Sequence, residues 1–268
     1  MNSKILSIAL LAAGMMMSAC GGSQKNDDTV AGNDSTTNFA TDTQAEADVA
    51  DEEEYEIARR GIDTIREVWK SKPIKVNLSN TIPDVLQYAK AFCKTYPQCE
   101  TNRALKEFLA SPENAQKEEG RIELPSNDGE YTLNYHIDNK PRNGYISCEM
   151  AVETFRQTDV CYWNRKDGHK LIAVFIDECW ESASWDQCLA VFYDYDPATD
   201  TMTPEPALTD MIEQRMKSYK CYDVKLPKEG KDIEVKGFNG GVNDEDEEPL
   251  IIDELKLKWN GQTFDWSK

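Results

Sequence analysis

Residues 52–268 are predicted to form a single α+β domain, with N-terminal helices packed on a disulfide-bonded antiparallel β-sheet of meander type. Three observations point there. Apolar residues recur at helical spacing up to about position 115. The period drops to two after Gly120. The stretch Asp159–Pro204 reads as three consecutive strands. A β-sandwich with appended helices is the alternative arrangement of the same elements.

The helical part spans 52–115 and the mainly β part 120–268. In Glu52–Lys70, Ala58, Ile62, Ile65 and Trp69 fall on one helical face, and Pro73 closes the segment. Thr81–Tyr96 is the second predicted helix. Pro83 sits in its first turn, where a missing N–H is no loss, and Val85, Ala89 and Phe92 form its stripe. Thr101 is read as the cap of a third helix that turns Leu105, Phe108 and Leu109 inward. Cys93 and Cys99 flank the turn between the last two, and a short-loop disulfide is the preferred reading.

Strands are predicted at Arg121–Leu124, Glu130–Asp138, Tyr145–Cys148, Val160–Asn164, Lys170–Trp180 and Asp186–Asp196. Asp167-Gly168 supplies a tight turn through glycine's tolerance of positive φ. The central strand carries Ala173 and Phe175 on one side and Ile172, Val174 and Ile176 on the other, so both its faces should be covered. A four-residue turn at 182–185 would place Cys179 opposite Cys188. Cross-strand Cβ atoms lie about 4.5–5.5 Å apart, near disulfide geometry, so a Cys179–Cys188 bridge is expected. The same reasoning puts Cys161 opposite Val174, leaving Cys148 or Cys221 as its partner. After a helix at Ala207–Tyr219 come strands at Cys221–Leu226 and Asp232–Lys236, then a hairpin, Leu250–Trp259 with Gln262–Trp266, that pairs Leu257 with Phe264.

The N-terminus reads differently. Lys4 is followed by an apolar run, Ile5–Met17, too short to span a bilayer comfortably and typical of a signal peptide. It ends Met17-Ser18-Ala19-Cys20-Gly21. This resembles the lipobox of bacterial lipoproteins. The resemblance implies removal of residues 1–19 and acylation, for example with palmitate, at Cys20. Two or more acyl chains there would anchor the protein stably in a membrane. Gly21 is not the aspartate that marks inner-membrane retention in some systems, which implies an outer-membrane address in the cell envelope. Lys25-Asn-Asp27-Asp28 faintly resembles the surface-export signal of Bacteroidota lipoproteins. Residues 20–51 are poor in large apolar side chains, which suits a disordered acidic tether with a root-mean-square reach of roughly 30 Å.

Formal charge is −19, and residues 20–54 alone hold ten acids against one lysine. Nucleic acid is excluded as a partner, since phosphate recognition needs a basic face. With seven cysteines after Cys20, an exported chain is expected to be disulfide-bonded. No cysteine pair has zinc-site spacing, and neither His136 nor His169 follows a nucleophile signature, so no metal, cofactor or catalytic residue is assigned. Asn243–Glu248 lacks the ligand spacing of a calcium loop and reads as a solvated acidic loop. Trp180 and Trp185, at the second turn, are the candidate ligand-binding residues for a glycan or protein. The functional expectation is therefore a lipid-anchored envelope protein with a non-catalytic binding or structural role. An envelope hydrolase acting on glycans through paired carboxylates near Asp177 and Asp186 is the competing reading.

Overall fold

The computed structural model describes residues 61–79, 82–125, 132–151, 155–178, 188–219, 221–239 and 251–267. A helix covers 61–68 (α1) and runs into a 3-10 turn at Trp69–Ser71. Next come β1 (Ile74–Lys75), α2 (Asp84–Thr95) and α3 (Glu100–Phe108). Seven strands follow: β2 (Glu119–Pro125), β3 (Thr132–Lys140), β4 (Tyr145–Ala151), β5 (Phe155–Asn164), β6 (Lys170–Glu178), β7 (Cys188–Asp196) and β8 (Thr201–Pro204). The chain continues through α4 (Pro206–Met216), β9 (Cys221–Lys225), β10 (Ile233–Phe238), β11 (Ile251–Trp259) and β12 (Phe264–Trp266).

The α+β class holds, with mostly β content, but the layers differ from expectation. The described residues form two antiparallel sheets, not one. The larger runs β1-β8-β7-β6-β5-β4-β3-β2 and the smaller β12-β11-β10-β9. Period-two alternation explains how the larger sheet is covered on both faces. Ile172, Val174 and Ile176 of β6 join Val191, Tyr193 and Ile146 against Ile65, Trp69, Val85, Phe92 and Leu105 of the α1–α3 layer. Leu171, Ala173 and Phe175 point the other way, into a second core with Leu208 and Ile212 of α4 and Val235 and Leu257 of the smaller sheet. Helices therefore lie on both sides of the larger sheet, and the fourth is not N-terminal.

Two predicted registers are displaced. Cys188 pairs with Asp177, and the described β6–β7 ladder ends there; Cys179 lies outside the described residues. The displacement from the predicted pairing is two residues, so every side chain keeps its predicted face. At the β5–β6 connection the displacement is one: Cys161 pairs with Ala173, because the loop spans Arg165–His169. In the closing hairpin Trp259, not Leu257, meets Phe264. The turn is four residues, closed by an Asn260 N–H to Thr263 O bond of 3.1 Å.

No disulfide forms among the described residues. Cys93 and Cys99 are close in sequence but diverge in direction. The Cys93 thiol donates to Asn102 Oδ1 at 3.8 Å, while Cys99 Sγ faces Gly61 of α1. The Cys188 thiol donates to Tyr222 O at 3.1 Å and that of Cys161 to Pro227 O at 3.7 Å. Cys148 belongs to the core under α1–α3 and Cys161 to the opposite core, so the sheet itself separates that pair. Thr101 does not cap α3 either. It lies inside the helix, fully buried, with its Oγ1 2.7 Å from that of Thr158. Beside it, Arg156 is 1 % exposed and forms an ion pair with Glu100, which also accepts from the Tyr135 hydroxyl at 3.2 Å.

Candidate functional site

A groove of about 1120 Å³ runs along the β1 end of the larger sheet. Six consecutive residues, 72–77, line one wall. Ile74 and Lys75 of β1 point to opposite faces and both line the groove, so it follows the strand's edge and not one of its faces. Gln87, Lys90, Ala91, Lys94 and Thr95 form the opposite wall, a flank of α2 at positions i, i+3, i+4, i+7 and i+8. Leu109, Ala110, Pro112 and Ala115 close it beyond α3. Ile74, Val76, Leu109 and Ala115 are buried and give it an apolar floor.

The charge of this groove is opposite to that of the chain. Of the eighteen described residues that line it four are lysines, Lys72, Lys75, Lys90 and Lys94, and none is Asp or Glu. The chain as a whole has 49 acids to 30 bases, so an acid-free wall of this size is not what composition alone would give. Lys75 Nζ donates to Thr199 O, and Lys72 Nζ lies 5.2 Å from the centre of the Tyr96 ring. Lys90 and Lys94 form no ion pair among the described residues. Like charges four apart on a helix are mutually destabilising by about 0.2–0.5 kcal/mol. Among the described residues no acid relieves that repulsion.

The β1 wall is held from outside the groove. Asp200 has φ +52 and accepts from the Asn77 and Leu78 N–H groups at 2.9 and 3.2 Å, and from the Tyr195 hydroxyl at 2.9 Å. Partial burial works against its charge, but these donors and Lys75 keep its pKa below the usual carboxylate value. Gln87 holds the end of the segment by accepting from Ser79 N–H at 2.6 Å and donating to Ser79 O and Ile82 O.

Most residues singled out from the sequence lie elsewhere. Trp180, Trp185, Asp186, Cys179, Cys20 and the 243–248 loop are outside the described residues. Trp163 is core, its indole N–H donating to Lys231 O at 2.9 Å and its ring edge-on to Phe264 at 4.9 Å. His136 is half-buried on β3. His169 is not simply solvated: Nδ1 lies 2.7 Å from Asp194 Oδ2, which raises its pKa. Arg165 ties the same Asp194 to Glu205, an arrangement that fixes the β5–β6 turn and presents no nucleophile. Asp177 is 9 % exposed at the end of β6. Among the described residues no three His, Cys, Asp or Glu converge to hold a metal ion.

One carboxylate stands apart. Asp159, in β5, faces the smaller sheet and is 2 % exposed, and its Oδ1 has no hydrogen-bond partner. Burial raises its pKa from the ordinary 3.8 to about 7, although Gln157, Tyr145 and Lys228 favour the charged form.

Comparison with protein-family models, curated proteins and solved structures finds no match. No helix among the described residues is long and apolar enough to cross a membrane. The groove was not singled out from the sequence. Its one local sign is the basic run Lys70, Lys72 and Lys75, directly after an acid-rich stretch.

Proposed function

We propose that this chain is a lipid-anchored protein of the cell envelope, held at Cys20, whose folded body captures an anionic ligand in the lysine-rimmed groove without transforming it. The carrying observation is the groove itself: four lysines and an apolar floor, with no acid among its described lining residues, in a chain of charge −19. At more than 1000 Å³ it exceeds the usual small-molecule cleft and suits an elongated ligand. The anchor rests on the sequence alone: a short apolar leader, small residues before Cys20, and an acidic stretch long enough to hold the body off the bilayer.

Two measurements test this. Palmitate should label the wild-type protein in cells and not Cys20→Ser; labelling that persists in the variant removes the anchor. Fluorescent polyglutamate should bind the full-length protein in non-ionic detergent at low salt and release as salt rises. Changing Lys90 and Lys94 together to glutamine should weaken it about two- to thirtyfold, at roughly 0.2–1 kcal/mol for each exposed charge pair. Unchanged affinity in that variant would reject the groove as the binding site.

A further inference from the structure

Building on that reading, we infer that the groove's ligand is an extended acidic peptide segment of a partner protein, bound by adding a strand to the free edge of β1. Two features beyond charge argue for a peptide. The first is the backbone. Among the described residues β1 is an edge strand with β8 as its neighbour, Ile74 paired to Met202 and Lys75 to Thr201. Val76 N–H donates to Asp200 O at 3.2 Å. In an antiparallel ladder alternate residues point their N–H and C=O at the partner, so Ile74 and Val76 address β8 and Lys75 addresses the groove. A peptide strand can satisfy that donor and acceptor together; a polyanion without amides cannot.

The second is the enclosure. Edge strands usually avoid unspecific pairing by being short and by carrying proline or lysine, and Pro73 and Lys75 do this here. A second sheet is also kept out by the α2 flank and the 109–116 segment. The same walls enclose the groove of about 1120 Å³ beside that edge. Lys90 and Lys94 border it from α2 and Lys72 and Lys75 from the strand side, so acidic side chains along one face of an added strand find cations. Apolar side chains between them find Ile82, Ala91 and Leu109. The motif read is therefore acidic and apolar residues in alternation.

The test uses a fluorescent Glu-Val alternating heptapeptide and the full-length protein in non-ionic detergent, with labelled dextran sulfate as an anion that has no backbone amides. Two further peptides carry N-methyl groups on the odd or on the even residues. Strand addition predicts that one methylated peptide loses about tenfold or more in affinity and the other keeps it, as expected for lost hydrogen bonds. Lys75→Gln should weaken both probes modestly. Lys75→Pro, which also removes the outward N–H, should further weaken the peptide alone. If both methylated peptides bind like the parent, charge alone holds the ligand: strand addition is overturned and the anionic groove stands. If neither probe binds, even after the ten carboxylates of residues 20–54 are changed to amides, the groove reading fails as well. If the peptide binds only after the ten carboxylates of residues 20–54 are changed to amides, the chain's own acidic stretch is the occupant and an external partner is overturned.

Discussion

Changing Asp159 to asparagine keeps the side chain's shape and removes its charge. In the folded protein burial lifts this carboxyl's pKa from 3.8 to about 7. Between those values the folded state holds a proton that the unfolded chain has released. Stability therefore falls as pH rises through this window, and it levels off above about pH 7. Some three pH units at about 1.36 kcal/mol each make the total penalty on the order of 4 kcal/mol. Near pH 4 the wild type and Asp159→Asn should be about equally stable. At pH 8 the variant should be more stable by several kcal/mol, a large share of the roughly 5–15 kcal/mol typical of a domain. Urea unfolding at pH 4, 5, 6, 7 and 8 reads this directly. Taking the difference between the two proteins cancels the pH response of the other acids. A difference that does not grow between pH 4 and pH 7 would refute the reasoning and mean that Asp159 is charged in the fold and satisfied there.

Two other substitutions probe how the layers are joined. Arg156→Met removes the nearer of the two guanidinium groups beside Glu100, leaving Arg103 at 3.9 Å, and should lower unfolding free energy by up to about 3–5 kcal/mol; adding Glu100→Leu should restore most of the loss in the same urea assay. Gly120→Ala puts a methyl group where the Phe108 ring lies on β2, and should lower stability by about 1–3 kcal/mol with a blue or red shift of near-ultraviolet circular dichroism as the ring moves.

The central strands were legible because their pattern survives errors of register. Ile172, Val174 and Ile176 share one covered face and Ala173 and Phe175 the other in the structure as in the sequence, although the β6–β7 register is displaced by two residues. A two-residue slip preserves faces, while the one-residue slip at Cys161 follows from a longer loop than Asp167-Gly168 suggested. β1 and β8, with two and four residues, are too short to show a period. The cysteine expectations used separation along the chain, but direction decides: Cys93, in the last turn of α2, points at Asn102, and Cys99 begins α3 facing α1. The groove was hidden for a related reason. Its lysines come from two elements, and the α2 flank that carries Lys90 and Lys94 lies beside the apolar stripe that defined the helix in the sequence. The separation of the two sheets depends on which strands close over α4, which no local pattern encodes.

The larger sheet is a party wall. Its middle strands give one apolar side to the helices and the other to the smaller sheet, so neither tenant can leave without stripping the surface they share. Peeling off either side would wet the same strands that support the other, and the body should melt in a single step.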